Sequence, residues 1–452
     1  MKNFPNRMSR LHSEVKGGPL AGVAGAARLK IFRRILPFVF LLYVLAYIDR
    51  ANVAFANRPM SADLGFSAEV FGFGAGVFFV GYFLLQIPGA LIVERWSARR
   101  LLAAILVSWG LLTMLIGFVH TAMQFYASRF LLGAAEAGLF PGVLVYLTHW
   151  FRAGDRARAT ARFALAAPVA LTIGAPLSGV ILKIHWLGVP GWRWIFILQG
   201  VPAILFGAVT LFYLPDRPRD AGWLTGPEQS WIEGELRREE AIKGTRPRKN
   251  WWRALGHRDV LLLTGASFCA NLGAYGFILW LPNTLNRGMG LPLMLSTMLA
   301  ALPFMAAIVS SLLVGWSSDR TGERKWHTCG SFVGASLFLV LGSLPGQPVA
   351  LLVLWMCLVG AGVYSWIPPF WVLPGLILSE SEAAASIGMI NSVGNLGGFA
   401  GPWLAGYMLT RGAGYGRVLL ALAVSYCVSA VLTALVRPPA LGRRMKGAAR
   451  AV

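Results

Sequence analysis

Twelve predominantly apolar runs recur along this 452-residue chain, each close to the ~20 residues that an α-helix needs to cross the ~30 Å hydrocarbon core of a bilayer. They constrain the fold class before any single residue is considered. Their approximate cores are 35–57, 70–93, 101–119, 124–149, 158–184, 194–214, 259–285, 294–316, 327–345, 348–372, 384–410 and 416–437. Hydrophobic residues make up 56% of the chain and charged ones 13%, with a mean hydropathy of +0.61, which is more apolar surface than a soluble domain needs. The expectation is an all-α polytopic membrane protein with 12 transmembrane helices.

The net charge of +22 does not mark a nucleic-acid partner, because the basic residues crowd the ends of the apolar runs and form no single face. Arg33, Arg34, Arg95, Arg99, Arg100, Arg152, Arg156, Arg158, Arg320, Arg324, Lys325 and the 215–258 segment all fall on one side. That side is cytoplasmic by the positive-inside rule, and an even number of spans puts both termini there. Residues 1–30 read as a cytoplasmic basic tail, since no early apolar region with a cleavage site precedes the first span. Residues 31–214 and 259–437 then form two six-helix bundles, joined by a cytoplasmic linker at 215–258 and followed by a cytoplasmic tail at 438–452. Within the linker, Thr225 and Glu228 have capping-box spacing, and Trp231, Ile232 and Leu236 give an amphipathic helix its apolar side.

A loop repeat supports the division. GWSSDRTGERK at Gly315 to Lys325 and ALIVERWSARR at Ala90 to Arg100 follow the eighth and second spans with charges at equal offsets. Glu94, Arg95 and Arg99 in one copy, and Asp319, Arg320 and Arg324 in the other, are read as cytoplasmic latches that bind neighbouring helix ends and open when the halves rock.

The charges inside the spans carry the chemistry. An ionised side chain near the middle of a bilayer helix costs roughly 2.5–3.5 kcal/mol on insertion scales, so it survives mainly where it faces a cavity or another protein group. Arg129 and Glu136 lie seven residues apart, close to two turns, on one face of the fourth span, while Ala134, Gly138 and Gly142 line the opposite face for a close neighbour. Asp49 and Arg50 form a second charged pair in the first span, about 22 Å of helix beyond Arg34. Arginine suits carboxylate binding because its planar, permanently charged fork gives paired hydrogen bonds. Tyr43 and Tyr47 share a helix face with Arg50 as candidate substrate contacts, and Tyr275, Asn391 and Asn395 are polar groups in the seventh and eleventh spans that can contribute from the other half. Asp49 and Glu136 are candidate coupling acids. Burial favours the protonated form of such an acid and a nearby arginine the ionised form, so an anion that occupies the arginines makes the acids hold protons. Glycine and proline at Gly174 to Gly179, at Pro368 and Pro369, and at Gly397 to Pro402 are expected to interrupt their spans. GFGAG at Gly72 to Gly76 lies inside a span with no flanking strand and reads as helix packing, not as a nucleotide fingerprint.

The loops at 90–100 and 315–325 resemble the G-x-x-x-D-R-x-G-x-R-R/K motif of the major facilitator superfamily, the second copy fully and the first with Ala90, Glu94 and Ser97 in place of its glycine, aspartate and inner glycine. YIDRANVAFA at Tyr47 to Ala56, RFLLGAAEAGLFPG at Arg129 to Gly142, GWRWIFILQGVPA at Gly191 to Ala203 and the LPDRP segment are similar to the anion:cation symporter family, over about residues 30 to 437. That resemblance implies the major facilitator fold in the inner or plasma membrane, first and fourth helices lining a central cavity, anion binding by the matching arginines and protonation of the matching acids. Members mostly move organic carboxylates, such as tartrate, phthalate-like and sugar acids, with protons or sodium. The expectation is therefore proton symport of an organic carboxylate, with H+ as the coupling ion and Na+ as the other candidate, by a monomer that needs no cofactor or metal. Proton-driven export of drugs or metabolites is the second reading. A membrane enzyme is disfavoured because His120, His149 and His185 are isolated near span ends and no nucleophile, HExxH or ATP-binding motif occurs.

Overall fold

All regular structure among the described residues is helical, as lipid demands of a chain that must satisfy its backbone internally. The computed structural model describes residues 19–95, 97–244, 255–378 and 380–437. In chain order the helices are α1 (Pro19–Leu64), α2 (Ala68–Arg95), α3 (Ala98–Ile116), α4 (Ala122–Glu136), α5 (Leu139–Thr148), α6 (Ala153–Ala164), α7 (Ala166–Ile181), α8 (Gly191–Tyr213) and α9 (Gly226–Gly244). They continue as α10 (Arg258–Asn283), α11 (Leu293–Leu299), α12 (Ala301–Thr321), α13 (Lys325–Ser343), α14 (Val349–Ser365), α15 (Ile367–Phe370), α16 (Leu373–Ile377), α17 (Glu380–Thr410) and α18 (Tyr415–Ala434). Ten stretches among the described residues are long and apolar enough to span a membrane. They coincide with ten of the expected spans. The ninth and eleventh expected spans correspond to α13 and α17, which are long enough but less apolar and pack against α14 and α18, and against α2 and α10.

Several spans are built from two or three helical pieces. The fourth divides at Ala137–Gly138 directly after Glu136, the fifth at Leu165, and the eighth at Ala300. In the tenth, α14 gives way to the short α15 and α16 where Pro368, Pro369 and Pro374 remove backbone donors. The seventh ends in a π-helical turn, Thr284–Gly288, a geometry that often marks functional places. The interruptions expected at 174–179 and 397–402 are absent: α7 runs through Pro176 and α17 through Pro402. Glycines there serve close packing instead, since a Cβ on Gly397 or Gly401 would run into the Phe268 or Leu272 carbonyl of α10. The glycines at 72, 74 and 76 are likewise packing residues within α2, against Pro402, Phe125 and Phe399.

Contacts separate two faces. On one, rich in arginine, the start of α1 stands beyond the bilayer: its 46 residues span about 69 Å, against about 40–45 Å for a whole membrane. Arg28 forms a bidentate pair with Asp155 at 2.8 and 2.5 Å, and Lys30 reaches Glu228 of α9 at 2.8 Å. On the opposite face Arg58 of α1 donates to Asn286 of the π-turn, and the Glu69 N–H of α2 donates to Thr410 Oγ1 of α17 at 2.9 Å. The helices before α9 meet those after it along α2 against α17, α7 against α12, and α1 against α10.

Glu228 accepts the Thr225 N–H at 2.8 Å, the reciprocal half of a capping box, and ties α9 to α1 through Lys30. Burial pushes this carboxyl up, but Lys30 and Thr225 outweigh it and hold the group below its ordinary value. A carboxylate with a depressed folded value stabilises fully above the unfolded value of ~4.3 and loses that contribution as pH falls through the folded one. Glu228→Gln should therefore loosen α9 at neutral pH, seen as faster limited proteolysis within 226–244, and the wild-type protein should match it only in acid. Equal cleavage rates for the two at pH 7 would refute the tie.

Candidate functional site

Helices α1 and α4 bring four ionisable side chains into the membrane interior. Arg50 is 7% exposed, Asp49 and Glu136 are 1% exposed and Arg129 is 0% exposed. Arg50 donates through one terminal nitrogen to Glu136 Oε1 and through the other to the Tyr275 hydroxyl of α10 at 3.3 Å. One guanidinium thus joins two helices of the first group to one of the second. Its central carbon sits 4.8 Å from the Tyr47 ring, 5.1 Å from Tyr82 and 5.2 Å from Phe78, a cation–π surround that partly replaces lost water.

Asp49 faces away from Arg50 into a cage of donors. Asn52 Nδ2 reaches it at 2.8 Å, Trp109 Nε1 at 2.6 Å and Thr113 Oγ1 at 2.9 Å. Three donors satisfy an ionised carboxylate well. Glu136, in contrast, has Arg50 on one oxygen and no hydrogen-bond partner on Oε2 among the described residues. Arg129 donates to the Ala75 carbonyl at 3.3 Å and lies 4.9 Å from the same Phe78 ring as Arg50, with Nε and one terminal nitrogen unpartnered among the described residues. The four charges sum to zero when all are ionised, which matters because an unbalanced buried charge costs several kcal/mol.

The expected residues therefore separate by distance from Arg50. Tyr47 and Tyr275 touch it; Tyr43 sits one layer back, edge-on to Tyr47 at 5.0 Å and stacked on Phe163 at 4.4 Å. Asn391 and Asn395 are half-buried on α17, and their neighbour Ser392 makes the contact to α2, donating to Gln86 at 3.2 Å. The two arginines do not converge on one open surface: Arg129 is sealed, and Gly133 and Ala134 of α4 pack directly on Phe78 and Gly81 of α2. Trp109, Thr113, Asn52, Phe78 and Tyr82 were not anticipated from the sequence. Their signal is present in it, since Trp109 and Thr113, like Phe78 and Tyr82, are one-turn pairs, and Asn52 follows Asp49 by three.

Of the two latches, the side chains of Glu94 and Arg95 lie outside the described residues. Arg99 engages Asp216, its N–H donating at 3.0 Å and its Nε lying 3.8 Å away, while Ser97 donates to the same carboxylate at 2.7 Å. In the second copy Arg324 pairs with Asp319 at 2.6 Å and Arg320 lies over Trp316 at 5.5 Å.

The sequence profile described as the Major Facilitator Superfamily matches residues 39–402. A protein of Agrobacterium vitis named "Putative tartrate transporter" is 40% identical over 89% of this chain and 93% of its own length. The "Quinolone resistance transporter" of Acinetobacter baumannii is 37% identical over 83% of this chain and 86% of its own. Among solved structures, a bacterial homologue of the human lysosomal transporter Spinster, inward-facing and occupied, superposes with a TM-score of 0.72 at 17% identity, covering 89% of this chain and 96% of that one.

The Asp49 cage makes a quantitative prediction. A hydrogen bond to a charged group contributes about 1.5–3 kcal/mol, so Trp109→Phe should destabilise the purified protein by that amount. In a double-mutant cycle with Asp49→Ala, most of the effect should vanish, because the two changes remove one interaction. Additive losses in denaturant unfolding would mean that the contact contributes nothing.

Proposed function

The chain belongs to the major facilitator superfamily and is a multi-pass membrane transporter, and on that footing we propose that it imports an organic carboxylate together with a proton. The observation that carries this reading is the divided allegiance of Arg50, which holds Glu136 of α4 and Tyr275 of α10. An incoming carboxylate competes for the same guanidinium fork. As Glu136 loses that partner in a low-dielectric surround, protonation becomes its cheapest way to stay buried. One monoanion and one proton leave the buried cluster neutral. Asp49, held by its three donors, stands outside the fork that the anion would enter and is the second candidate coupling acid.

Alternating access follows from where the two groups of helices join. We take the arginine-rich face as cytoplasmic by the positive-inside rule. The contacts of Arg58 with Asn286 and of Glu69 with Thr410 then act as an outer gate, and Tyr275 reports to the second group whether Arg50 is free. The latches at Arg99 and at Asp319 with Arg324 brace the cytoplasmic ends. Tyr43 and Tyr47 are proposed to wall the substrate, Arg129 to balance charge from behind Phe78, and Asn391 and Asn395 to reach it from α17 during closure. The name of the Agrobacterium relative supports a carboxylate cargo.

Proton-driven export is the alternative, and the name of the Acinetobacter relative favours it. Uptake by proteoliposomes separates the two. Symport predicts accumulation of a tartrate, sugar-acid or aromatic-acid substrate only when the proton gradient points the same way, whereas export predicts the opposite polarity; a sodium gradient alone tests the other coupling ion. Arg50→Lys should lower uptake at least tenfold, and Glu136→Gln should abolish gradient-driven accumulation while retaining exchange. Concentrative uptake by Glu136→Gln at the wild-type rate would reject the proton role.

A further inference from the structure

Away from this site, a groove of about 530 Å³ lies between α12, α13 and α14, and no residue of the transport site lines it. It follows α13 from Trp326 to Phe338, twelve residues or about 18 Å of helix, starting at the arginine-rich face. That length matches one leaflet, about half of a ~30 Å hydrocarbon core. Its floor is made of small residues, among them Ser310, Gly330, Gly334 and Gly362. A Cβ placed on Gly330 would meet nothing within 4 Å, and one on Gly334 only the rim of Phe338 at 4.0 Å. These two glycines therefore do not serve the helix packing that explains most glycines within the spans, such as those against α10.

Glu323, Trp326 and His327 line the mouth, while Trp316, Arg320 and Lys325 stand beside it at the adjoining ends of α12 and α13. Trp316 and Trp326 are 61% and 60% exposed, as interfacial tryptophans are. Arg320 lies over Trp316, and Lys325 lies 5.0 Å over Trp326 while donating to the Val436 carbonyl at 2.9 Å. Neither has an acidic partner among the described residues, whereas Arg324 is neutralised by Asp319. His327 has one ring nitrogen 3.0 Å from Ser317 and the other, Nδ1, without a partner among the described residues. Glu323 is the one acid lining the mouth, and its carboxylate already accepts the Trp326 N–H at 3.1 Å.

We infer that this groove is a binding site for an anionic phospholipid of the leaflet on the arginine-rich face, one acyl chain lying along Gly330 and Gly334 and the headgroup meeting Arg320 and Lys325. A groove of this length with small residues along it suits a single hydrocarbon chain lying against α13. Lysine and arginine at the cytoplasmic ends of spans attract acidic headgroups, and here Arg320 and Lys325 stand beside the groove and not in its lining.

Native mass spectrometry of the full-length protein, exchanged in detergent with phosphatidylglycerol or phosphatidylcholine, tests the site. Phosphatidylglycerol should be retained at least fivefold better than phosphatidylcholine. Arg320→Gln with Lys325→Gln, both at the surface, should remove that preference. Gly330→Leu with Gly334→Leu should abolish retention, with an unchanged melting midpoint in lipid-free detergent as the control for folding. Equal retention of the two lipids, or undiminished retention in both double variants, would overturn the inference. So would a wild-type dimer that the leucine variant dissociates, since the groove would then hold a second copy of the chain.

Discussion

Four ionisable groups shut away from water have to be balanced among themselves, and much else in the structure follows from that requirement. Asp49, Arg50, Arg129 and Glu136 are all less than a tenth exposed, and the interior offers them no bulk solvent to screen an excess. The balance is kept unevenly. Asp49 is saturated by Asn52, Trp109 and Thr113, and Arg129 is enclosed behind Phe78 with a backbone carbonyl. Arg50 and Glu136 hold each other, with the Tyr275 hydroxyl and the faces of aromatic rings around the guanidinium. In the proposed mechanism this pair is the one that an incoming anion rearranges.

The helices are shaped around that pair. The fourth span breaks at Ala137–Gly138 immediately after Glu136, which ends α4 at the acid and lets α5 take its own direction. Gly133 brings α2 close enough for Phe78 to lie beside both arginines. Tyr275 arrives from α10, whose far end is the π-turn that carries the Arg58 contact. The proposed site and the proposed outer gate therefore share one helix, which gives a change in the partners of Arg50 a mechanical route between them.

Much of this was legible in the sequence, because a charge in an apolar run stands out whatever the fold. All four charged residues stand out that way, whereas Tyr47 follows from its shared helix face with Arg50 and Tyr275 from being a polar group in the seventh span. Helical periodicity, however, assigns a residue to a face and not to a depth behind its neighbours. It could not separate Arg50, at the surface of the cluster, from Arg129, which Phe78 covers, nor Tyr47 from Tyr43 one layer behind. The donors to Asp49 were missed because Trp109 and Thr113 look like ordinary membrane-span residues until α3 is packed beside α1. Glycine and proline misled at 174–179 and 397–402 because small residues both weaken a helix and admit a neighbour, and only the neighbour decides which. The partner of Arg99 was equally hidden, since Asp216 comes from a distant segment and not from the repeat.

The central claim is that anion binding and protonation are one event at Arg50 and Glu136, and proton release or uptake on binding tests it without any membrane. Purified protein in weakly buffered detergent, mixed with a transported carboxylate at pH 7, should take up close to one proton per bound anion, read as a rise in pH. Glu136→Gln should bind the anion with no such rise. Saturable binding to the wild-type protein with no change in pH would contradict the account.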